Sequence, residues 1–217
     1  TLFRSVATAL GVPLPVIKKG VENLRVVPGR LERVANDMGL SVFVDYAHTP
    51  EALENVLTAV KGLAPGRLIT IFGCGGDRDR DKRPMMGEVA GRLSDLCVLT
   101  SDNPRTEPPD AIVSAIMAGT TTARDRRYKP DDLANGFDAP GYVVEPGRRR
   151  AIALGLGAAR RGDAVLVAGK GHETYQIIGE NVMPFDDRLE ASKVLERLSA
   201  GSGKQAMTDA QCATSAT

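Results

Sequence analysis

The chain has no tryptophan, only 4% aromatic residues, three cysteines and two histidines among 217 residues. Cys74, Cys97 and Cys212 form no CxxC pair and no metal-ligand cluster, which excludes a disulfide framework and a zinc module; a reduced, cytosolic setting is expected. No apolar run is long enough to span a bilayer, and no signal-peptide pattern is present. An excess of one charge sign is also absent. Lys and Arg number 28 against 27 Asp and Glu, a net charge of +1, so neither nucleic acid nor an anionic membrane is expected as the main partner. The P-loop pattern GxxxxGK[ST] occurs nowhere, and the glycine spacing is not that of a dinucleotide-binding fingerprint. The chain opens "TLFRSVATAL", without Met, and reads as a piece of a longer polypeptide.

What is present is ordinary globular material: 42% hydrophobic and 25% charged residues, enough for a core. Short apolar runs alternate with helical patterns. "SVFVDY" (41–46) reads as a strand. "TPEALENVLTAV" (49–60) then opens with Thr49 as N-cap and Pro50 at the first helical position, and its apolar residues Leu53, Val56, Leu57 and Val60 follow helical spacing. The same alternation predicts strands over 67–73, 95–101, 142–146 and 163–169, with helices over 83–93, 108–119 and 147–161. Residues 120–139 read as a loop-rich or short-helix excursion. Residues 174–187 read as a hairpin turning at Gly179-Glu180-Asn181, followed by a closing helix over 187–199. Small polar residues over 201–217 predict a disordered tail. Nearly continuous apolar strands alternating with helices predict an α/β fold. Its sheet is Rossmann-like and mostly parallel, with helices on both faces and a C-terminal β-hairpin.

In such sheets ligands bind at the C-terminal ends of the strands. Four predicted strand ends carry polar residues that a core has no use for. "DYAHTP" supplies Asp45 and His48. "GCGGDRDRDKRP" supplies a glycine cluster, Asp77, Arg78, Lys82 and Arg83. "SDNPRTEPP" supplies Asp102, Asn103, Pro104 and Arg105. "GKGHET" supplies Lys170, His172 and Glu173. Taken singly, each has a plain structural reading: glycines for a tight turn, Asp45 as a cap, "RDRDKR" as a solvated face. Their convergence on one edge points to a ligand. Arginine forks suit carboxylate or phosphate, and acids such as Asp102 and Glu173 suit ammonium groups. Together they fit a small amino-acid-like anion, for instance a zwitterion with more than one carboxylate.

Five stretches in register, "VPGRLERV", "VFVDYAHTPEALENVL", "FGCGGDRDRDKRPMMG", "SDNPRTEP" and "VAGKGHETYQ", resemble the Mur ligases of peptidoglycan synthesis. Within that family the likeness is to the type that adds the third amino acid, and it runs from near the start to about residue 190. The resemblance implies that residues 1–27 are the end of a central ATPase domain and 28–200 the C-terminal amino-acid-binding domain. In the parent enzyme it implies ATP with Mg, a UDP-MurNAc-dipeptide and meso-diaminopimelate as the ligands. It further implies no metal site and no complete catalytic set here, so the piece alone is expected to be inactive; the parent is expected to be a cytoplasmic monomer. By the same resemblance the Asp102-Asn103-Pro104-Arg105 motif grips the distal end of diaminopimelate, with Arg105 on its carboxylate. Arg78 binds a second carboxylate, and Gly169 and Glu173 line the pocket. Arg30, Asp45 and His48 face the nucleotide. Alternatives are a non-catalytic amino-acid-binding module, or the corresponding domain of a folylpolyglutamate or cyanophycin synthetase, for which an intact DNPR motif is not expected.

Overall fold

The computed structural model describes residues 2–23 and 26–214. Two short helices, α1 (Leu2–Ala9) and α2 (Leu14–Glu22), precede the sheet. The chain then forms β1 (Glu32–Val34), β2 (Ser41–Asp45), α3 (Pro50–Leu63), β3 (Leu68–Phe72), α4 (Lys82–Leu93), β4 (Leu96–Leu99) and α5 (Pro109–Ala123). It continues through β5 (Arg127–Tyr128), a 3-10 turn (Pro130–Leu133), β6 (Gly141–Val144), α6 (Arg148–Gly157) and β7 (Ala164–Ala168). A hairpin of β8 (Tyr175–Ile178) and β9 (Asn181–Pro184) leads into α7 (Asp187–Thr214).

The main sheet has the order β1-β2-β7-β3-β4-β6-β5, and every pairing is parallel except β1 on β2. Strands β3, β4 and β7 are buried along their whole length. Period-2 alternation still sorts their side chains between two cores. Val42, Val44, Ile69, Ile71, Val98, Val165 and Val167 pack against α6 and α7, whereas Phe43, Leu68, Phe72, Leu99 and Leu166 pack against α3, α4 and α5. The predicted cap is present, with Thr49 Oγ1 accepting from the Ala52 N–H at 3.3 Å.

The order of strands determines where the site lies. The chain lays β2, β3 and β4 down in one direction, and α6 then crosses the opposite face. It returns β7 to the middle, between β2 and β3. The loop after β7 therefore leaves the sheet at its centre, flanked by the loops after β2 and β3.

Three parts of the sequence reading change. β1 and β5 were not expected as strands. They hold three and two residues, too few for any periodic signal, and exist because β2 and β6 offer an edge to pair with. Residues 201–214, expected as disordered tail, continue α7 as helical backbone. Their Lys, Gln, Ala and Met content suits a helix better than the small-residue composition suggested. Residues 215–217 lie outside the described residues.

Candidate functional site

The loops after β4 and β7 meet over a buried lysine. Lys170 is fully buried, and its Nζ donates to Asn103 Oδ1 at 2.7 Å and to the Tyr175 carbonyl at 2.8 Å. Asp102 Oδ1 lies 3.1 Å from the same ammonium and Glu173 Oε2 3.6 Å from it. The Asp102 contact is a charge pair rather than a hydrogen bond, because Oδ1 is buried without an aligned donor. Asn103 Nδ2 donates to Glu173 Oε2 at 2.9 Å, and its Oδ1 also accepts from the Ile177 N–H at 3.0 Å. An ammonium and a backbone N–H have only donors to offer, so Lys170 and Ile177 together fix which way the Asn103 amide points. The outer oxygens, Asp102 Oδ2 and Glu173 Oε1, have no hydrogen-bond partner among the described residues. Gly169 leaves β7 at φ +117°, and a Cβ there would stand 3.8 Å from Asp102 Oδ2, so this oxygen faces the start of the β7 loop.

Arg105 is held by its backbone. It adopts φ +52° and bridges the hairpin, with its N–H donating to the Ile177 carbonyl at 3.1 Å and its own carbonyl accepting from the Gly179 N–H at 2.8 Å. Its Nη1 donates to the Gly76 carbonyl at 2.9 Å and to the Asn103 carbonyl at 3.4 Å, while Nε and Nη2 have no hydrogen-bond partner among the described residues. The glycines after β3 serve this approach. A Cβ on Gly76 would fall 1.8 Å from the Pro104 carbonyl oxygen, and the Gly76 N–H donates to the Asn103 carbonyl at 2.8 Å. Over Gly75 the side chains of Arg78 and Arg105 come together: a Cβ there would lie 3.0 Å from Arg105 Nη1 and 3.5 Å from Arg78 Cγ. Arg78 is exposed, and among the described residues its one hydrogen bond runs from Nη1 to the Asp77 carbonyl of its own loop, at 3.0 Å.

A carboxylate network locks the β3 and β4 loops to each other. Glu107 takes a bidentate grip from buried Arg83, at 2.8 and 3.0 Å, and accepts from the Asp77 N–H at 2.6 Å. The Arg83 hydrogen bonds, helped by the Asp77 N–H, pull the Glu107 carboxyl down to about 2. Asp77, itself at φ +52°, accepts from the Thr106 hydroxyl and N–H, and these bonds lower its carboxyl below the usual value. Lys82 reaches the His48 carbonyl at 2.9 Å, tying the start of α4 to the β2 loop. It is a brace of the rim.

The remaining predicted residues form a second cluster beside the first. Asp45 spends both carboxylate oxygens on backbone, accepting from the Leu31 N–H at 2.6 Å and the Ala47 N–H at 2.8 Å. Its role in the fold is to shape the loop that carries Arg30. The Arg30 guanidinium lies over the Tyr46 ring at 4.8 Å, and His48 and His172 flank that ring at 4.7 and 5.1 Å. Gly29 makes the close approach possible, since a Cβ there would fall 2.0 Å from the His172 backbone nitrogen. Among the described residues no group of three metal-ligating side chains is present.

Residues 29–171 match the family described as Mur ligase, glutamate ligase domain. The chain belongs to the Mur ligase family. Over 192 residues it is 55% identical to the UDP-N-acetylmuramoyl-L-alanyl-D-glutamate–2,6-diaminopimelate ligase of Geobacter metallireducens, an alignment covering 88% of this chain and 38% of that protein. The enzyme of the same name from Clostridioides difficile is 46% identical over 189 residues, 87% of this chain and 36% of that one. A solved structure of a UDP-N-acetylmuramoyl-L-alanyl-D-glutamate–2,6-diaminopimelate ligase is similar with a TM-score of 0.67 and 36% identity, covering 89% of this chain and 37% of that chain. The chain thus spans less than two-fifths of the length of these relatives.

In this Mur ligase chain the sequence-predicted residues sort into two neighbouring groups. Arg78, Asp102, Asn103, Pro104, Arg105, Gly169 and Glu173 lie on the loops after β3, β4 and β7, joined by the contacts above, while Arg30, Asp45 and His48 lie around Tyr46. Sequence reasoning did not single out Tyr46 or Glu107, and left Lys170 and His172 without a role. Tyr46 and His172 lie in the quoted "DYAHTP" and "GKGHET" stretches; only folding brings their rings together, 5.1 Å apart and tilted by 36°. Glu107 follows Arg105 by two residues, with nothing in the sequence to mark it as the partner of Arg83.

Proposed function

We propose that this chain is the amino-acid-binding portion of an ATP-dependent ligase that adds meso-diaminopimelate to UDP-MurNAc-L-Ala-D-Glu in cytoplasmic peptidoglycan synthesis. One observation carries the reading. The partly free Arg105 fork leaves the same loop as Asp102, and Asn103 between them donates to Glu173; Asp102 Oδ2 and Glu173 Oε1 have no hydrogen-bond partner among the described residues. A carboxylate and an ammonium on one carbon match that pairing, and Arg78, coming up over Gly75, suits the second carboxylate of the ligand.

In the reaction proposed for the parent, the dipeptide carboxylate attacks the γ-phosphorus of ATP and ADP leaves, giving an acyl phosphate. The amine of diaminopimelate attacks the acyl carbon, phosphate leaves and the amine gives up a proton. Positioning and charge neutralisation dominate such chemistry. The part assigned to this chain is to hold the amino acid by its far end so that its near amine is presented. The cluster of Arg30, Tyr46, His48 and His172 offers a cation and aromatic faces to the nucleotide. The P-loop is absent from this sequence, and its described residues do not assemble a magnesium site; no step here runs through the metal.

The test is calorimetry of this chain with meso-diaminopimelate and, separately, L-lysine. Binding of diaminopimelate in clear preference to lysine is expected. Equal affinity, or no binding of either, would defeat the reading.

A further inference from the structure

Lys170 has no role in the chemistry above, yet it is the most completely enclosed charge at the site. Its ammonium touches the β4 loop through Asp102 and Asn103, the β7 loop through Glu173, and the hairpin through the Tyr175 carbonyl. Two carboxylates would not gather there unaided, because like charges so close repel. The lysine draws one oxygen of each acid inward, Asp102 Oδ1 and Glu173 Oε2. The opposite oxygens, Oδ2 and Oε1, are left turned away from it.

From this geometry we infer that Lys170 is a positioning residue for amine recognition: as a resident ammonium it binds the inner oxygens of Asp102 and Glu173 and so aims their outer oxygens at the ammonium on the distal carbon of the amino-acid ligand. The inference rests on the proposed function and deepens it. Lys170 itself never touches the ligand. Its effect falls on the amine half of the distal centre, while the carboxylate half depends on Arg105, whose side chain is held by the Gly76 and Asn103 backbone carbonyls and whose backbone is held by the hairpin.

That division supplies the experiment. Three ligands differ at one group each: meso-diaminopimelate, 2-aminopimelate lacking the distal amine, and L-lysine lacking the distal carboxylate. Their dissociation constants are measured by calorimetry on the wild-type chain, on Lys170→Met and on Lys170→Gln. The glutamine variant keeps an N–H donor toward Asn103 and Tyr175 and carries the test should the methionine variant fail to fold. Wild type is expected to prefer diaminopimelate over 2-aminopimelate by roughly 10- to 150-fold, the worth of a hydrogen-bonded charge. In the variants that preference should fall toward unity while the preference over lysine persists. An amine preference unchanged in a folded variant would overturn the inference. So would the joint loss of both preferences, because Lys170 would then merely hold the loops together. A wild-type chain that binds none of the three ligands fails at the proposed function itself, and the inference falls with it.

Discussion

Arg148 and Asp187 form a bidentate ion pair with both side chains fully buried: Nε donates to Oδ1 at 2.8 Å and Nη2 to Oδ2 at 2.6 Å. Burial alone would pull the guanidinium down; Asp187 outweighs it and keeps Arg148 above its ordinary value. The same guanidinium donates to the Ser101 carbonyl at 3.2 Å and the Ala168 carbonyl at 3.0 Å. These are the roots of the β4 and β7 loops. The pair pins α6 and the start of α7 beneath the site. Asp187→Ala should therefore cost about 3–5 kcal/mol, because it strands a buried cation. Urea denaturation measures this, and a loss below about 1 kcal/mol would contradict the description of a buried pair.

Arg105 should separate diaminopimelate from lysine. A planar guanidinium makes two parallel hydrogen bonds to a carboxylate that lysine does not have. Removing such a partner costs about 2–5 kcal/mol, or roughly 30-fold to several-thousand-fold. Arg105→Ala should weaken diaminopimelate binding by an amount in that range and leave lysine binding nearly unchanged. Arg105→Lys should restore little, since an ammonium lacks the fork. If the ratio of the two dissociation constants stays the same in Arg105→Ala, the residue only shapes the turn.

Gly76 cannot become alanine without moving the DNPR loop, because the new Cβ would stand 1.8 Å from the Pro104 oxygen. Backbone rather than a flexible side chain occupies that space. Gly76→Ala should lower thermal stability and abolish amino-acid binding together. Gly62→Ala, at a helical position with open space around it, is the control and should do neither. Normal diaminopimelate binding by Gly76→Ala would show that the two loops need not touch.

Acid should unlock the site through Glu107. Its carboxyl is about 2 in the folded chain against an ordinary 4.5. A carboxyl depressed by folding stabilises above its unfolded value, and that contribution is lost as pH falls from 4.5 through about 2. Unfolding midpoints in urea for the wild type should drop more steeply across this window than those of Glu107→Gln, which cannot titrate. At pH 7 the variant should already be the less stable protein, because it leaves Arg83 buried without its counter-ion. Parallel pH curves for the two proteins would rule the pair out as the titrating element.

Much of the architecture was legible in the linear pattern. Continuous apolar strands such as "LITIF" and "AVLVA", alternating with helices of 3.6 periodicity, determine a parallel sheet covered on both faces, because neither element can bury its apolar side alone. The strand-end rule then placed Arg78, Asp102, Arg105 and Glu173 at the same edge, because side-chain chemistry at a loop is visible without coordinates. Only the tertiary structure decided which of these charges are spent and which are available. Asp45 is consumed by the Leu31 and Ala47 N–H groups, Glu107 by Arg83, and the inner oxygens of Asp102 and Glu173 by Lys170. These partners lie up to 68 residues apart, as Lys170 does from Asp102, and meet because β7 inserts beside β3, one strand from β4. A hydrogen bond depends on a separation of about 3 Å and on direction, and neither is encoded in local periodicity. The sequence by itself therefore determined the sheet and the kinds of group at its rim; the packing of β7 into the middle of that sheet decided which atoms remain free to meet a ligand.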